Sequence, residues 1–252
     1  MNQIFIFDID GTLTPARQAM TDEMIEVFRK FCQIKRVVLA TGSDMEKVKE
    51  QVPGDVLALV ESIFTCSGNV LYTGGEEWGE LIYKRKFEPP PDLLEFLERC
   101  TEFSSCPTKT GRHLEHRPGM LNFSTIGRNC TQAQREEYYR WDMETGERKA
   151  IQEKLGHMYP TLDCAIGGQI SVDIYPRGMD KSQAYNYLKS VEPKTPIVFL
   201  GDRLRPGGND YPFFSAMSKS HTSCRPLDIC VPVHDWLDTK RFLKNVMERK
   251  SE

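Results

Sequence analysis

The chain opens with four apolar residues, Ile4-Phe5-Ile6-Phe7, followed at once by Asp8-Ile9-Asp10-Gly11. A short run that is apolar on both faces predicts a strand buried in a parallel sheet. Its acidic end then lies at the carboxyl edge, where α/β folds bind ligands. Residues 22–31 carry apolar side chains at helical spacing, and Arg36–Ala40 predicts a second buried strand ending in Thr41-Gly42-Ser43-Asp44. Ser43 or Asp44 caps a helix through Glu50, and residues 63–66 with 70–72 predict a third strand and a hairpin. This alternation is βαβ grammar and predicts a Rossmann-like parallel-sheet core.

The grammar breaks at Pro89-Pro90-Pro91, a stiff entry into a helix over residues 92–100. Beyond it, residues 120–126 and 169–175 alternate with period two, and Thr131 followed by Gln134 opens a polar helix as a capping box. In the second alternating stretch Gln169, Ser171, Asp173 and Tyr175 share one face and Ile170, Val172 and Ile174 the other. The first of these faces is polar enough to meet a ligand. After Lys181 a helix, the apolar strand 196–200 and Gly201-Asp202 restore the first grammar. The expected organisation is a core of residues 1–84 and 186–252 interrupted by an inserted α+β cap at 85–185.

Composition narrows the function. In 252 residues, 33 Lys and Arg face 36 Asp and Glu, a net charge of −3, so no general basic field attracts nucleic acid and any anion site is local. No apolar stretch approaches the roughly 20 residues of a membrane span. Eight cysteines without a CxxC pair, and no leader before the first strand, predict reduced thiols in a cytoplasmic protein.

Asp8 and Asp10 suit a nucleophile and an acid/base partner, provided that the chain turns sharply at Gly11. An attacking carboxylate and a phosphoryl group repel each other, so this chemistry asks for a divalent cation, whose site Asp202 completes. Thr41 and Ser43 both offer hydroxyls to phosphate oxygens, and the choice between them stays open. Lys181 follows an aspartate at a helix start, where a surface ion pair is the ordinary reading; the motif order given below implies that it neutralises charge on Asp8. Arg117, Arg128 and Arg135 fall in one short stretch of the insertion, the last in the first turn of the capped helix. Arginine forks and a helix N-terminus together make a phosphate clamp. His113 and His116 have no further ligand near them, and Trp78, Trp141 and Trp236 read as packing residues.

The order Asp8-x-Asp10-Gly-Thr, a hydroxyl loop, Lys181, then Gly201-Asp202 with Gly208-Asn209-Asp210 resembles the four motifs of the haloacid dehalogenase (HAD) superfamily. More narrowly, residues 8–18, 42–48, 119–122, 126–128, 166–171 and 206–210 resemble the eukaryotic-type phosphomannomutases, whose cap is of the C2b type. The resemblance implies Asp8 as nucleophile, Asp10 as acid/base, and Mg²⁺ at Asp8, the Asp10 carbonyl and Asp202, with Asn209 and Asp210 in the last motif. It implies Arg17, Arg117, Arg128, Arg135, Ser171 and Asp173 as sugar-phosphate contacts, a hexose 1,6-bisphosphate activator, and a homodimer through the cap. The implied reaction interconverts mannose 6-phosphate and mannose 1-phosphate. A sugar-phosphate phosphatase and a non-catalytic sugar-phosphate-binding protein are the alternatives. Cys66-Ser67-Gly68, Pro118, Ala216 and the tail 224–236 depart from the family pattern, and Ala216 stands where the family has an acidic residue near a second cation.

Overall fold

A computed structural model describes residues 3–75, 79–220 and 228–248. Trp78 and the first part of the divergent tail lie outside them. In chain order the strands and helices are β1 Ile4–Phe7, α1 Asp22–Ile34, β2 Arg36–Ala40, α2 Met45–Gln51, α3 Gly54–Leu57, β3 Ser62–Thr65, β4 Val70–Thr73 and β5 Leu81–Lys84. Then come α4 Pro91–Phe103, β6 Leu114–Arg117, β7 Met120–Phe123, α5 Gln132–Thr145, α6 Glu147–Met158, β8 Leu162–Gly167 and β9 Ser171–Pro176. The chain closes with α7 Ser182–Val191, β10 Ile197–Gly201, α8 Tyr211–Ser220, β11 Ile229–Pro232 and α9 Trp236–Glu248.

Two sheets result. The larger runs β11-β10-β1-β2-β3-β4-β5, parallel from β11 to β3 and antiparallel beyond. Because β1 lies between β2 and β10, its carboxyl end is a switch point of the strand order, where α/β folds open a crevice. Alternation divides the core: Phe5 and Phe7 face a cluster with Phe28, Phe31 and Leu243, whereas Ile4 and Ile6 face one with Tyr185, Phe199 and Phe213. Fully burying such a side chain contributes roughly 2 kcal/mol. Ala184 and Tyr185, assigned from sequence to the insertion, pack in the second cluster. α7 therefore belongs with the large sheet, and the chain returns to it at Lys181 rather than at residue 186.

The smaller sheet, β6-β7-β9-β8, is antiparallel. Val172 and Ile174 of β9 point into a core with Leu93 and Leu97 of α4 and Ile151 and Leu155 of α6. That leaves Ser171 and Asp173 on the opposite face, as the alternation predicts. The expected strand 120–126 ends at Phe123, where the chain bends so that Ser124 receives the Gly127 amide. A smaller cluster of Cys66, Val70, Met120, Ala165 and Tyr175 joins the two sheets.

Candidate active site

At the end of β1 the backbone turns at Gly11, whose φ is +84° and whose missing Cβ would stand 2.8 Å from Asp202 Oδ2. Only glycine suits both constraints. The turn separates the two carboxylates. Asp8 points inward, 3% exposed, and its Oδ1 accepts a 2.7 Å bond from Lys181 Nζ. Lys181, the N-cap residue of α7, also donates to Asp210 Oδ1 at 2.5 Å. Asp10 turns the other way: its Oδ1 receives the Arg17 amide at 2.6 Å and Gln51 Nε2 at 2.9 Å. Ser43 Oγ lies 3.4 Å from the second oxygen, Oδ2.

Two buried aspartates, Asp8 and Asp210, meet Lys181 here, with the half-buried Asp202 beside them. Asp8, Asp202 and Asp210 each offer an oxygen within 4.8 Å of the others. Burial pushes the Asp8 carboxyl well up, Asp210 and Asp202 adding to the effect against Lys181. Burial, with Asp210 beside it, pushes Asp202 up to about 7. A surplus of hard, negatively charged oxygen donors fits a divalent cation of the Mg²⁺ type. Asp210 is the most committed of the three, since its other oxygen accepts the Arg203 amide at 3.0 Å. Asn209 lines the same cleft with a buried, unpartnered Oδ1.

The loop after β2 forms the next wall. Asp44, not Ser43, caps α2, accepting the Lys47 amide at 2.9 Å. Thr41 Oγ1 accepts the Ser43 amide at 3.1 Å, so Thr41 shapes the loop while Ser43 faces Asp10. Behind it, Cys66, Ser67 and Gly68 all have positive φ (50°, 57° and 86°). The Cys66 and Ser67 amides donate to the Ser43 and Thr41 carbonyls, and Asn69 Nδ2 donates to Cys66 O at 2.8 Å. An over-determined turn of this kind tolerates strain of about 1–3 kcal/mol per residue. The departure at 66–68 thus braces the hydroxyl loop. Pro118 followed by Gly119 at φ +69° is the pair a type II turn requires between β6 and β7.

The cap supplies the far wall. Arg117 Nη1 donates to Gly42 O at 2.9 Å, linking cap to core. Arg135 lies in the first turn of α5, behind the Thr131–Gln134 capping box, and reaches the cleft together with Arg17. Arg128 stands just behind them, its Nη1 donating to Ser171 Oγ at 3.1 Å. Burial lowers Arg128 to about 10, with Arg17 and Arg117 pressing the same way. Crowded cations of this kind await an anion. Asp173 accepts from Asn122 Nδ2 at 2.6 Å and is pushed up by burial against the pull of Arg117.

One cleft is therefore lined by Asp8, Asp10, Arg17 and Asp202 of the core and by Arg117 and Arg135 of the cap. The expected residues converge on it; Lys181, Asp210 and Arg128 back it rather than line it. Gln51, Glu115 and Asn122 are additional polar contacts to these groups. Their sequence setting is that of ordinary helix and strand residues, so only the fold discloses them. His113 Nδ1 is 3.0 Å from the Ser124 carbonyl, and Ala216 packs against the second core cluster.

The model of the eukaryotic phosphomannomutase family matches residues 21–247. The chain belongs to the eukaryotic phosphomannomutase family. It is 36% identical over 232 residues to a phosphomannomutase of Dendrobium officinale, covering 89% of this chain and 90% of that one. It is 33% identical over 251 residues to the Drosophila melanogaster phosphomannomutase, covering 97% and 95%. Solved structures widen the fold: a Plasmodium falciparum IMP-nucleotidase aligns at TM-score 0.61 and 14% identity, over 98% of this chain and 68% of that one. A haloacid dehalogenase-like hydrolase from Bacteroides thetaiotaomicron aligns at 0.58 and 13%, over 98% and 100%. A phosphomannomutase chain with this HAD-like core thus keeps the acidic strand end and the cap arginines on one cleft.

Proposed function

We propose that the protein is a phosphomannomutase that interconverts mannose 6-phosphate and mannose 1-phosphate, glucose phosphates also serving, after priming by a hexose 1,6-bisphosphate. The observation that carries this reading is the two-ended cleft. Moving phosphate between C1 and C6 requires one end that reacts and another that holds the second phosphate, and a bisphosphate that turns between them.

In this reading Asp8 attacks phosphorus and carries the phosphoryl group as an aspartyl phosphate. Lys181 balances charge on Asp8 from behind, and the Thr41–Ser43 loop meets the phosphoryl oxygens. Asp10, held by Gln51 and the Arg17 amide, takes the proton of the sugar hydroxyl as it attacks the phosphoenzyme and returns one to the leaving oxygen. Asp8, the Asp10 carbonyl, Asp202, Asn209 and Asp210 are the ligand set for Mg²⁺. When bound, Mg²⁺ screens the repulsion between carboxylate and phosphoryl oxygens. Arg17, Arg117, Arg128 and Arg135 grip the remote phosphate, and Ser171 and Asp173 meet sugar hydroxyls. The cap, residues 85 to about 180, excludes water when it meets the core, sparing the aspartyl phosphate from hydrolysis.

No helix among the described residues is long and apolar enough to cross a membrane; we assign the protein to the cytoplasm. A homodimer through the cap, implied by the family resemblance, is testable by mass in solution. The deciding experiment supplies mannose 1-phosphate, Mg²⁺ and a trace of glucose 1,6-bisphosphate. Mannose 6-phosphate is the expected product; inorganic phosphate without the isomer would refute the mutase and leave a phosphatase.

A further inference from the structure

Glu115 has no part in the reaction as described, yet it is tied to two arginines of the clamp. It sits two residues before Arg117 on β6, on the same face. Its Oε2 lies 2.9 Å from Arg117 Nη2 and 2.7 Å from Arg128 Nη2. Its side chain is 24% exposed and those of the two arginines 5% and 8%, so water does little to screen the group. Burial pushes its carboxyl up, and Arg117 and Arg128 more than reverse this, keeping it ionised at neutral pH.

The charges around the arginines give the contact its meaning. Asp173, Glu115 and Asp44 act on Arg117, and Asp10 acts on Arg135; of these carboxylates, Glu115 bonds two clamp guanidinium groups at once. We propose that Glu115 is the clamp's internal counter-anion, a positioning residue that pairs Arg117 with Arg128 and trims the positive charge offered to a phosphate. A phosphate that takes the Arg128 fork must compete with this carboxylate. The grip is thereby weakened enough for a bound sugar bisphosphate to leave the clamp and turn. The turning rests on the mutase reading above, whereas the trimmed charge does not.

The test measures binding of inorganic phosphate by calorimetry in EDTA, where the uncompensated carboxylates at the far end repel the anion. Glu115→Gln keeps the shape and one acceptor for the arginines but removes the charge. It should bind phosphate at least about fivefold more tightly than wild type, the effect of one unit charge about 4 Å away even under the full screening of water. In Arg128→Met that gain should shrink. Glu115→Ala, which also removes the charge, gives the same sign and decides the matter if the glutamine variant does not fold. In turnover, Glu115→Gln should lower KM and kcat together, since release becomes slower. A mere brace behaves in the opposite way: loosened arginines weaken phosphate binding and raise KM. Equal or weaker binding in the folded variants, or no phosphate binding by wild type in EDTA, would overturn the proposal. Tighter binding in a protein that forms no isomer would leave the counter-anion standing and remove the mutase.

Discussion

Without a divalent cation, raising the pH from 5 to 8 should destabilise the protein, and the loss should trace to Asp202. Burial and the neighbouring Asp210 push this carboxyl up to about 7, against about 3.9 for a solvated aspartate. In the folded chain it keeps its proton at a pH where the unfolded chain has lost it. Its stabilising share is therefore complete below about pH 4, fades between about pH 4 and 7, and is gone above that. Between pH 5 and 8 about two units of that shift apply, which at ~1.4 kcal/mol each gives about 3 kcal/mol. For a chain of this size that is about 10 °C in Tm. Asp8, also raised by burial, adds in the same direction. Lys181 is raised by Asp210 and Asp8 in spite of its burial and does not titrate in this window. A cation that binds the ionised carboxylates restores what the rising pH removes. Thermal melts at pH 5 and 8, with EDTA or Mg²⁺, should show a small Mg²⁺-induced rise at pH 5 and one of about 10 °C at pH 8. Asp202→Asn should flatten the difference. An equal Mg²⁺ effect at both pH values, or a variant that keeps the wild-type profile, would refute the reasoning.

Three further outcomes follow from the geometry. Asp8→Asn should abolish turnover yet leave far-ultraviolet circular dichroism unchanged; residual activity above roughly a thousandth of wild type would remove Asp8 as nucleophile. Gly11→Ala must hold an L side chain at positive φ and displace Asp202, so it should cost about 1–2 kcal/mol on chemical denaturation and reduce Mg²⁺ affinity in the same sample; unchanged binding would separate the turn from the cation site. Gln51→Leu takes one donor from Asp10 and should lower kcat by about tenfold with little change in KM, as expected of a residue that orients an acid/base group; a rise in KM alone would make Gln51 a loop brace.

How much of this was legible in the chain depends on whether the signal is local. The apolar run before Asp8 and the loop after β2 announce their place because a parallel strand buried on both faces leaves no other reading for its acidic end. Ser171 and Asp173 were legible through period two, which assigns alternate side chains to opposite faces whatever the partner strand. β8 was not, since Leu162-Asp-Cys-Ala-Ile-Gly lacks clean alternation and becomes a strand by pairing with β9. The boundary drawn at residues 185 and 186 cuts through α7, because nothing local tells whether Ala184 and Tyr185 bury against the cap or the large sheet. Glu115 and Gln51 stayed hidden for a related reason. Their partners are 2 to 41 residues away in sequence, and a lone Glu or Gln on a strand or helix has solvent as its ordinary neighbour. A resemblance to a family names reacting groups sooner than the residues that set their charge.

The opposite charge of the two ends imposes an order on the cleft. Asp8, Asp202 and Asp210 outnumber Lys181 and Arg203, so once ionised they repel a phosphate dianion until a cation arrives, while the arginines attract it at once. A monophosphate should therefore dock first by its phosphate in the cap, which presents its free hydroxyl, C1 or C6, to Asp8. That is the orientation in which a phosphorylated Asp8 can donate and an unphosphorylated Asp8 can only wait. In the proposed reaction a bisphosphate primer fits this order: a sugar with a second phosphate satisfies both ends together and brings phosphorus to Asp8 while the clamp is filled. Arg117, donating to the Gly42 carbonyl while paired with Glu115, couples the filling of the clamp to the loop that holds Ser43 beside Asp10.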